Sequence, residues 1–200
     1  MSALMERSDQ GAPAGKGSRR TMPGMDGFWV FVAGDLAMFT LMFVTFALAR
    51  ADDPAGFEAA RLTLDADRGG INTLVLLTSS ACIASALTAL RRDAVGQARR
   101  WILAGVGGGA VFVVLKSLEY AAGFDAGHAP DTHEFYVYYL TLTGVHLGHV
   151  VAGCVLLLGF WVRLGRRPEG GVVGFETAAV FWHLVDFLWL LIFPLLYLAR

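Results

Sequence analysis

Five long apolar runs constrain this chain more than any other feature of its sequence. Each has about the 20 residues that a helix needs to cross the hydrocarbon core of a bilayer. Charged residues make up only 16% of the 200 residues and are concentrated between the runs. An outer-membrane barrel would instead show alternating segments of about ten residues. The sequence therefore predicts an all-α membrane protein, a bundle of five transmembrane helices over residues 27–49, 71–90, 101–124, 136–162 and 175–198.

The distribution of Lys and Arg predicts the orientation of this bundle. With the N-terminus in the cytoplasm, eleven basic residues fall inside and four fall outside, and cytoplasmic connections carry an excess of such residues. The C-terminus is then outside. We interpret residues 1–26 as a polar, disordered cytoplasmic tail and residues 27–200 as the transmembrane domain. No basic stripe indicates a nucleic-acid partner.

Titratable side chains lie inside four of the five apolar runs. A charge at the bilayer centre costs about 2.5–3.5 kcal/mol on insertion scales, so it persists where it has a partner or a task. Lys116 and Glu119 are three residues apart on one helical face and can neutralise each other. The residues that we predict to form a buried polar network are Asp35, Lys116, Glu119, His146, His149, Glu176, His183 and Asp186.

Three interpretations of this network remain open from the residues alone. The favoured one is structural, because an unpaired buried charge is strongly destabilising and pairing is the default. The second is proton handling, which Asp, Glu and His perform at accessible pH. The third is a haem or metal site that uses His146, His149 and His183. No nucleophile, phosphate-binding or dinucleotide motif appears, so we predict no catalytic residue.

Two pairs of glycines have the small-xxx-small spacing that lets membrane helices approach closely. They are Gly105 with Gly109 in the third run, and Gly144 with Gly148 in the fourth. We favour packing within this bundle over an interface with another protein, because such spacings are common in any polytopic protein.

Motifs in several spans resemble subunit III of the haem–copper oxidase superfamily. Residues 143–150 read Thr-Gly-Val-His-Leu-Gly-His-Val, similar to the family's Thr-Gly-x-His-Gly-x-His-Val. Residues 181–189 read Phe-Trp-His-Leu-Val-Asp-Phe-Leu-Trp, similar to Tyr-Trp-His-Phe-Val-Asp-x-x-Trp. Residues 27–35 resemble the segment that ends in the family's buried glutamate, and residues 115–120 resemble its Gln-x-x-Glu-Tyr.

The departures from the family pattern are also informative. Asp35 stands where the family has glutamate, and Lys116 stands where oxidases usually have glutamine. Leu87 and Thr88 replace a pair of histidines. The substitutions at positions 35 and 116 resemble the branch that accompanies nitric oxide reductases.

The resemblance implies a non-catalytic subunit of a respiratory haem–copper oxidase complex in the bacterial cytoplasmic membrane. It implies partnership with the catalytic subunit I and with subunit II, which hold the haem and copper. This chain would have no cofactor of its own, would bind phospholipid, and would support assembly, stability and proton uptake. The alternatives are an accessory subunit of a nitric oxide reductase, a free-standing haem-binding electron-transfer protein, and an ion transporter that acts alone.

Overall fold

The computed structural model describes residues 26–166 and 172–199, and these ranges contain helices and short connections but no strand. Five helices are long and apolar enough to cross a membrane, which confirms the predicted fold class. The predicted tail lies outside the described residues, apart from Asp26. The elements are α1 (Asp26–Asp52), α2 (Pro54–Arg61), α3 (Ala66–Leu90), α4 (Val95–Asp125), α5 (Glu134–Arg166), α6 (Val172–Phe193) and a π-helical turn, Pro194–Leu198.

Helices α3 to α6 form a four-helix bundle, and α1 packs beside it against α5. The bundle core is built around large aromatic side chains, among them the fully buried Phe112, Trp182 and Trp189. Helix α1 buries Phe39 and Phe46 on one face. Its opposite face is open, with Val30 74% exposed. An apolar face of this kind is suited to contact with lipid or with another membrane helix, because its exposure to water would be energetically unfavourable.

The first connection folds into α2, a helix that the hydropathy pattern does not predict. Asp53 caps this helix by accepting a hydrogen bond from the Gly56 amide at 3.0 Å, and Pro54 follows at the first helical position. Both features favour a helix start. Phe57 is buried against Phe46 of α1, with ring centroids 5.6 Å apart. We call the end of the bundle that carries α2 the α2 end, and the opposite end, at the turn of residues 91–94, the Arg91 end.

Two arginines, one in the last turn of α1 and one in α2, contact the end of the last span. Arg61 donates to the Tyr197 carbonyl at 2.8 Å, and Arg50 donates to the Ala199 carbonyl at 3.1 Å. Cations at a helix C-terminus satisfy carbonyls that have no helical partner and interact favourably with the helix dipole. The α2 end is therefore closed by contacts between distant parts of the sequence.

The glycine pairs differ in their surroundings. A Cβ atom at Gly105 would lie 2.5 Å from Ile83, and one at Gly109 would lie 2.6 Å from the Cys154 sulfur. Close approach at Gly105 also lets the Ser79 hydroxyl of α3 donate to the Gly105 carbonyl at 2.6 Å. The first pair thus packs within the bundle. The second pair has no atom of the described residues within 4 Å of such a Cβ.

Candidate functional site

The polar residues predicted from the sequence form separate contacts at different depths, and the described residues do not link them into one network. Lys116 and Glu119 lie toward the α2 end, and the Asp35–His149 pair lies deeper, between α1 and α5. His183 and Glu176 lie on α6 toward the Arg91 end. These contacts therefore form separate sites.

Lys116 is completely buried and makes three hydrogen bonds through its ammonium group. It donates to Glu119 Oε1 at 3.1 Å, to the Tyr139 hydroxyl at 2.9 Å and to the Tyr197 hydroxyl at 2.5 Å. These bonds use all three ammonium protons. The ammonium also lies 4.5 Å from the centroid of the Tyr139 ring, within cation–π range. Glu119 is thus the acid that lies within ion-pair distance of the Lys116 ammonium.

Glu119 accepts three hydrogen bonds at one oxygen and none at the other. Besides the Lys116 bond, Oε1 accepts from the Tyr139 hydroxyl at 2.7 Å and from the Tyr197 hydroxyl at 2.5 Å. Oε2 is buried and has no hydrogen-bond partner among the described residues. The carboxylate is therefore held firmly from one side and is unsatisfied on the other.

Tyr197 completes this cluster from the π-helical turn that follows α6. Aromatic residues near the end of a span are common at the membrane interface, but the Tyr197 side chain is only 1% exposed and contacts the bundle interior. Proline inside a helix commonly coincides with a kink or a π-type turn, and π turns are frequent at functional positions. Pro194 was thus the one sequence signal for an altered helix end.

Asp35 and His149 form a contact between α1 and α5. Asp35 Oδ1 lies 3.0 Å from His149 Nε2, and the aspartate side chain is 3% exposed. The other ring nitrogen of His149 lies 2.8 Å from the Val145 carbonyl, one turn earlier in α5. That carbonyl can only accept, so Nδ1 carries a proton and donates to it. Helix α1 is held against the bundle partly by this polar contact.

His183 and Asp186 do not pair with each other or with the acids and histidines of other spans. His183 Nδ1 lies 2.6 Å from the Ser80 hydroxyl of α3. Both carboxyl oxygens of Asp186 lack a hydrogen-bond partner within the described ranges. Ser80 is a partner that sequence reasoning did not identify.

His146 is packed as an aromatic core residue. It is fully buried, and its ring centroid is 5.6 Å from that of Phe112 and 5.2 Å from that of Trp189. Neither ring nitrogen has a hydrogen-bond partner in the described part of the chain. About one turn before His146 in α5, the Thr143 hydroxyl lies 2.6 Å from the Tyr120 hydroxyl.

Glu176 forms an ion pair with Arg91 at the Arg91 end of the bundle. The distance between Oε1 and the guanidinium nitrogen is 2.9 Å, and both side chains are partly exposed. A pair of this kind contributes about 0–1 kcal/mol to stability. It lies beside a largely apolar cavity of about 330 Å³ between α1, α3 and α6, which His183, Phe28 and Trp29 also line.

These contacts define a class of protein. Both nitrogens of His149 and one nitrogen of His183 are already engaged within the chain. No group of three or more His, Cys, Asp or Glu residues that could hold a metal ion occurs in the described ranges. The fold is thus a helical membrane bundle whose buried titratable groups contact each other, hydroxyl groups and aromatic rings.

Comparison with known proteins identifies the family. The sequence profile of cytochrome c oxidase subunit III matches residues 9–199. Cytochrome c oxidase subunit 3 of Thermostichus vulcanus is 32% identical over 180 residues, which cover 86% of this chain and 85% of that protein. Cytochrome c oxidase subunit 3 of Bacillus sp. (strain PS3) is 29% identical over 93% of this chain and 92% of its own length. The cytochrome bo(3) ubiquinol oxidase subunit 3 of Pseudomonas aeruginosa is 28% identical over 86% of this chain and 83% of that protein.

This chain belongs to the cytochrome c oxidase subunit III family. The resemblance inferred from the histidine motifs is therefore confirmed. The roles of the individual polar residues stay predictions, to which the structure adds their partners and distances.

Proposed function

We propose that this chain is the non-catalytic subunit III of a respiratory haem–copper oxidase in the bacterial cytoplasmic membrane. The observation that carries the proposal is the family match over residues 9–199. Relatives with this match are named as subunits of cytochrome c oxidases and of quinol oxidases. Subunits I and II are the proposed partners, and they would hold the haem and copper.

A role in assembly and stability fits the buried contacts. The Lys116–Glu119 cluster joins α4, α5 and the turn after α6. The Asp35–His149 contact joins α1 to α5. A buried pair adds little net stability, but separating its two members is strongly destabilising. Such pairs therefore favour one arrangement of the helices. A partner that packs on the open face of α1 would meet a helix already held in register.

A role in proton uptake fits the Arg91 end. The cavity there contains His183, and Asp186 lies one turn further along α6. Under the predicted orientation this end faces the cytoplasm, the side from which an oxidase takes up protons. Titratable groups at membrane depth are found on proton pathways. The apolar walls and the Arg91 guanidinium at the rim also fit the acyl chain and phosphate of a phospholipid, which we propose as the bound lipid.

The alternatives have less support. The nitric oxide reductase branch is suggested by Asp35 and Lys116, whereas the relatives described above are oxidase subunits. A free-standing haem protein would need two histidines with free nitrogens that face each other. Both nitrogens of His149 are engaged, and His146, whose nitrogens have no partner in the described residues, is fully buried against the Phe112 and Trp189 rings, so that arrangement has less support.

Copurification tests the proposed function. An affinity-tagged chain extracted from its native membrane should retain a haem-bearing catalytic subunit at near-equal stoichiometry, with a Soret band in the complex. The isolated chain should show no such band. A second preparation with His183→Leu should yield less complex or a faster loss of activity during turnover, because the contact with Ser80 is lost. Recovery of the chain without any haem-bearing partner would overturn the proposal, and the partner recovered distinguishes an oxidase from a nitric oxide reductase.

A further inference from the structure

A groove runs along the bundle surface between α3 and α4, and it contains two cavities. The cavity nearer the Arg91 end has a volume of about 340 Å³, and the one further along the helices has about 320 Å³. Lining residues recur at every third or fourth position of α3 from Ile71 to Arg92, and of α4 from Gln97 to Val111. Such spacing keeps side chains on one helical face, so the two cavities are sections of a single groove, about 30 Å long at 1.5 Å per residue. We call it the α3–α4 groove.

The two sections of the α3–α4 groove differ in polarity. The section further from the Arg91 end has mainly apolar walls, to which Val75 and Val111 contribute. The section at the Arg91 end is lined by three side chains that can donate hydrogen bonds: Arg92, Gln97 and Trp101. The groove is therefore polar at one end of the bundle and apolar toward the membrane centre, which is also the polarity profile of a lipid in one leaflet.

The donors of the polar section have no partner within the described part of the protein. The side chains of Arg92, Gln97 and Trp101 make no hydrogen bond or ion pair with the described residues. No Asp or Glu lines this section, and the adjacent Asp93 does not reach it. Within this section the charge of Arg92 therefore has no counter-ion.

This set of donors fits the phosphate of an anionic phospholipid. A guanidinium binds phosphate oxygens well, and the Gln97 amide and the Trp101 indole N–H can add neutral hydrogen bonds. A zwitterionic head group would bring a cation into a section that has no acid to receive it. Basic pockets between membrane helices recognise anionic lipid head groups by this charge complementarity.

The apolar section distinguishes a lipid from a free phosphate ion. One leaflet of hydrocarbon is about 15 Å thick, a length that about ten helical residues span. Counted along α3 from Arg92, this distance ends at Cys82, which lines the apolar section. The acyl chain of a lipid whose phosphate contacts Arg92 can thus lie along the groove, where it covers apolar surface that a free ion would leave uncovered.

We propose that the α3–α4 groove is a binding site for one anionic phospholipid, with its phosphate against Arg92, Gln97 and Trp101 and one acyl chain against Ala104 and Gly108. The site is separate from the cavity beside His183, and it does not depend on the role proposed for the chain in an oxidase. A lipid bound there contacts both α3 and α4 over much of one leaflet.

Photocrosslinking tests the preference for an anionic head group. The tagged chain, extracted with the partners that it retains, is placed in nanodiscs that contain a trace of phosphatidylglycerol or of phosphatidylcholine with a diazirine midway along one acyl chain. Phosphatidylglycerol should label residues 78–108 at least about threefold more than phosphatidylcholine, because an arginine near the membrane surface attracts an anionic lipid by at least that factor. Equal labelling by the two probes would overturn the proposal.

Two pairs of variants localise the preference to the groove. Arg92→Gln should abolish it, whereas Arg100→Gln should leave it intact, since Arg100 is an exposed arginine near the same end that does not line the groove. Ala104→Phe should lower the labelling by phosphatidylglycerol, because the phenyl ring fills the apolar section. Ala110→Phe, at an exposed position of α4 outside the groove, should not. An equal effect of the two variants within either pair would refute the site.

Other occupants of the groove would give different results. Excess inorganic phosphate should leave the labelling unchanged; if it removes the preference, the groove binds a free anion and the lipid site is refuted. A helix of another protein would shield the groove, so labelling elsewhere on the chain but not within residues 78–108 would also refute it. These measurements require no turnover and no haem-bearing partner, so their outcome is independent of the test of the proposed function.

Discussion

Lys116 shows how a single charged residue is accommodated at membrane depth. Its ammonium group is fully buried, yet each of its protons has an acceptor and its charge has a counter-ion 3.1 Å away. The desolvation of both ions is offset by their attraction and by the two tyrosine hydroxyls. The cost of losing one member is therefore expected to exceed the cost of losing both.

Replacing Lys116 by methionine should destabilise the folded subunit by about 3–5 kcal/mol, because Glu119 then remains buried without its counter-ion. Adding Glu119→Leu should recover most of this loss. Thermal unfolding of the subunit in detergent, followed by the helical circular dichroism signal, measures both effects. Single and double variants that lose the same stability would contradict the coupling between the two residues.

The π-helical turn after α6 shows how an irregular element places a side chain. Pro194 begins the turn, and the chain then brings the Tyr197 hydroxyl to both members of the ion pair. A regular continuation of α6 would present a different residue at this position, because each residue turns the helix by a fixed angle. The turn is therefore required to place the Tyr197 hydroxyl against the ion pair.

Tyr197→Phe should lower stability by about 1.5–3 kcal/mol, since hydrogen bonds to charged groups are the stronger ones. Tyr136→Phe is the matched control, because its hydroxyl makes one neutral bond, to Thr63 at 3.1 Å. That control should cost about 0.5–1.5 kcal/mol. The same thermal measurement compares them, and an equal loss in both variants would argue against a special role for the turn.

Helix packing makes an independent prediction within α5. A Cβ atom at Gly153 would lie 2.7 Å from the Trp182 ring, whereas one at Gly148 would meet nothing within 4 Å in the described chain. Gly153→Ala should therefore cost about 1–3 kcal/mol through overpacking. Gly148→Ala should be neutral or stabilise the subunit by up to about 1 kcal/mol, because alanine is the better helix former. The apparent melting temperature of Gly153→Ala should therefore be lower than that of Gly148→Ala. The reverse order would contradict the packing of Trp182 against α5.

At the scale of the whole molecule, the charge pattern still predicts an orientation. The connections assigned to the Arg91 end carry more Lys and Arg than those at the α2 end, and the α2 end carries a cavity of about 140 Å³. With the N-terminus inside, the cavity at the α2 end opens to the outer side and the cavity beside His183 opens to the cytoplasm. The two cavities then face different aqueous phases.

Reporter fusions test this orientation. Alkaline phosphatase inserted in the connection between α4 and α5 should be active, because that enzyme matures only outside the cytoplasm. The same reporter inserted between α3 and α4 should be inactive, and a fluorescent protein there should be bright. The opposite pattern would reverse the sides assigned to both cavities.

The sequence predicted most of the architecture of the described residues. The five spans follow from the length of the apolar runs. Each spanning helix contains its predicted run, apart from the last, where the run ends in a π-helical turn. Helix α2 escaped prediction because its eight residues bury only Phe57 and Ala60, too few to mark it by hydropathy. The Lys116–Glu119 pair was predictable because three-residue spacing on one helix fixes proximity without any knowledge of the fold.

The sequence by itself determined that this is a five-span helical membrane protein of the subunit III family with titratable groups at membrane depth. Only the tertiary structure decided which groups meet. It paired Asp35 with His149 and His183 with Ser80, left Asp186 without a hydrogen-bond partner among the described residues, and brought Tyr197 to Glu119. The physical reason is that helix formation depends on neighbours within one turn, whereas contacts between helices depend on their relative rotation and depth. Side-chain packing across the whole bundle sets both.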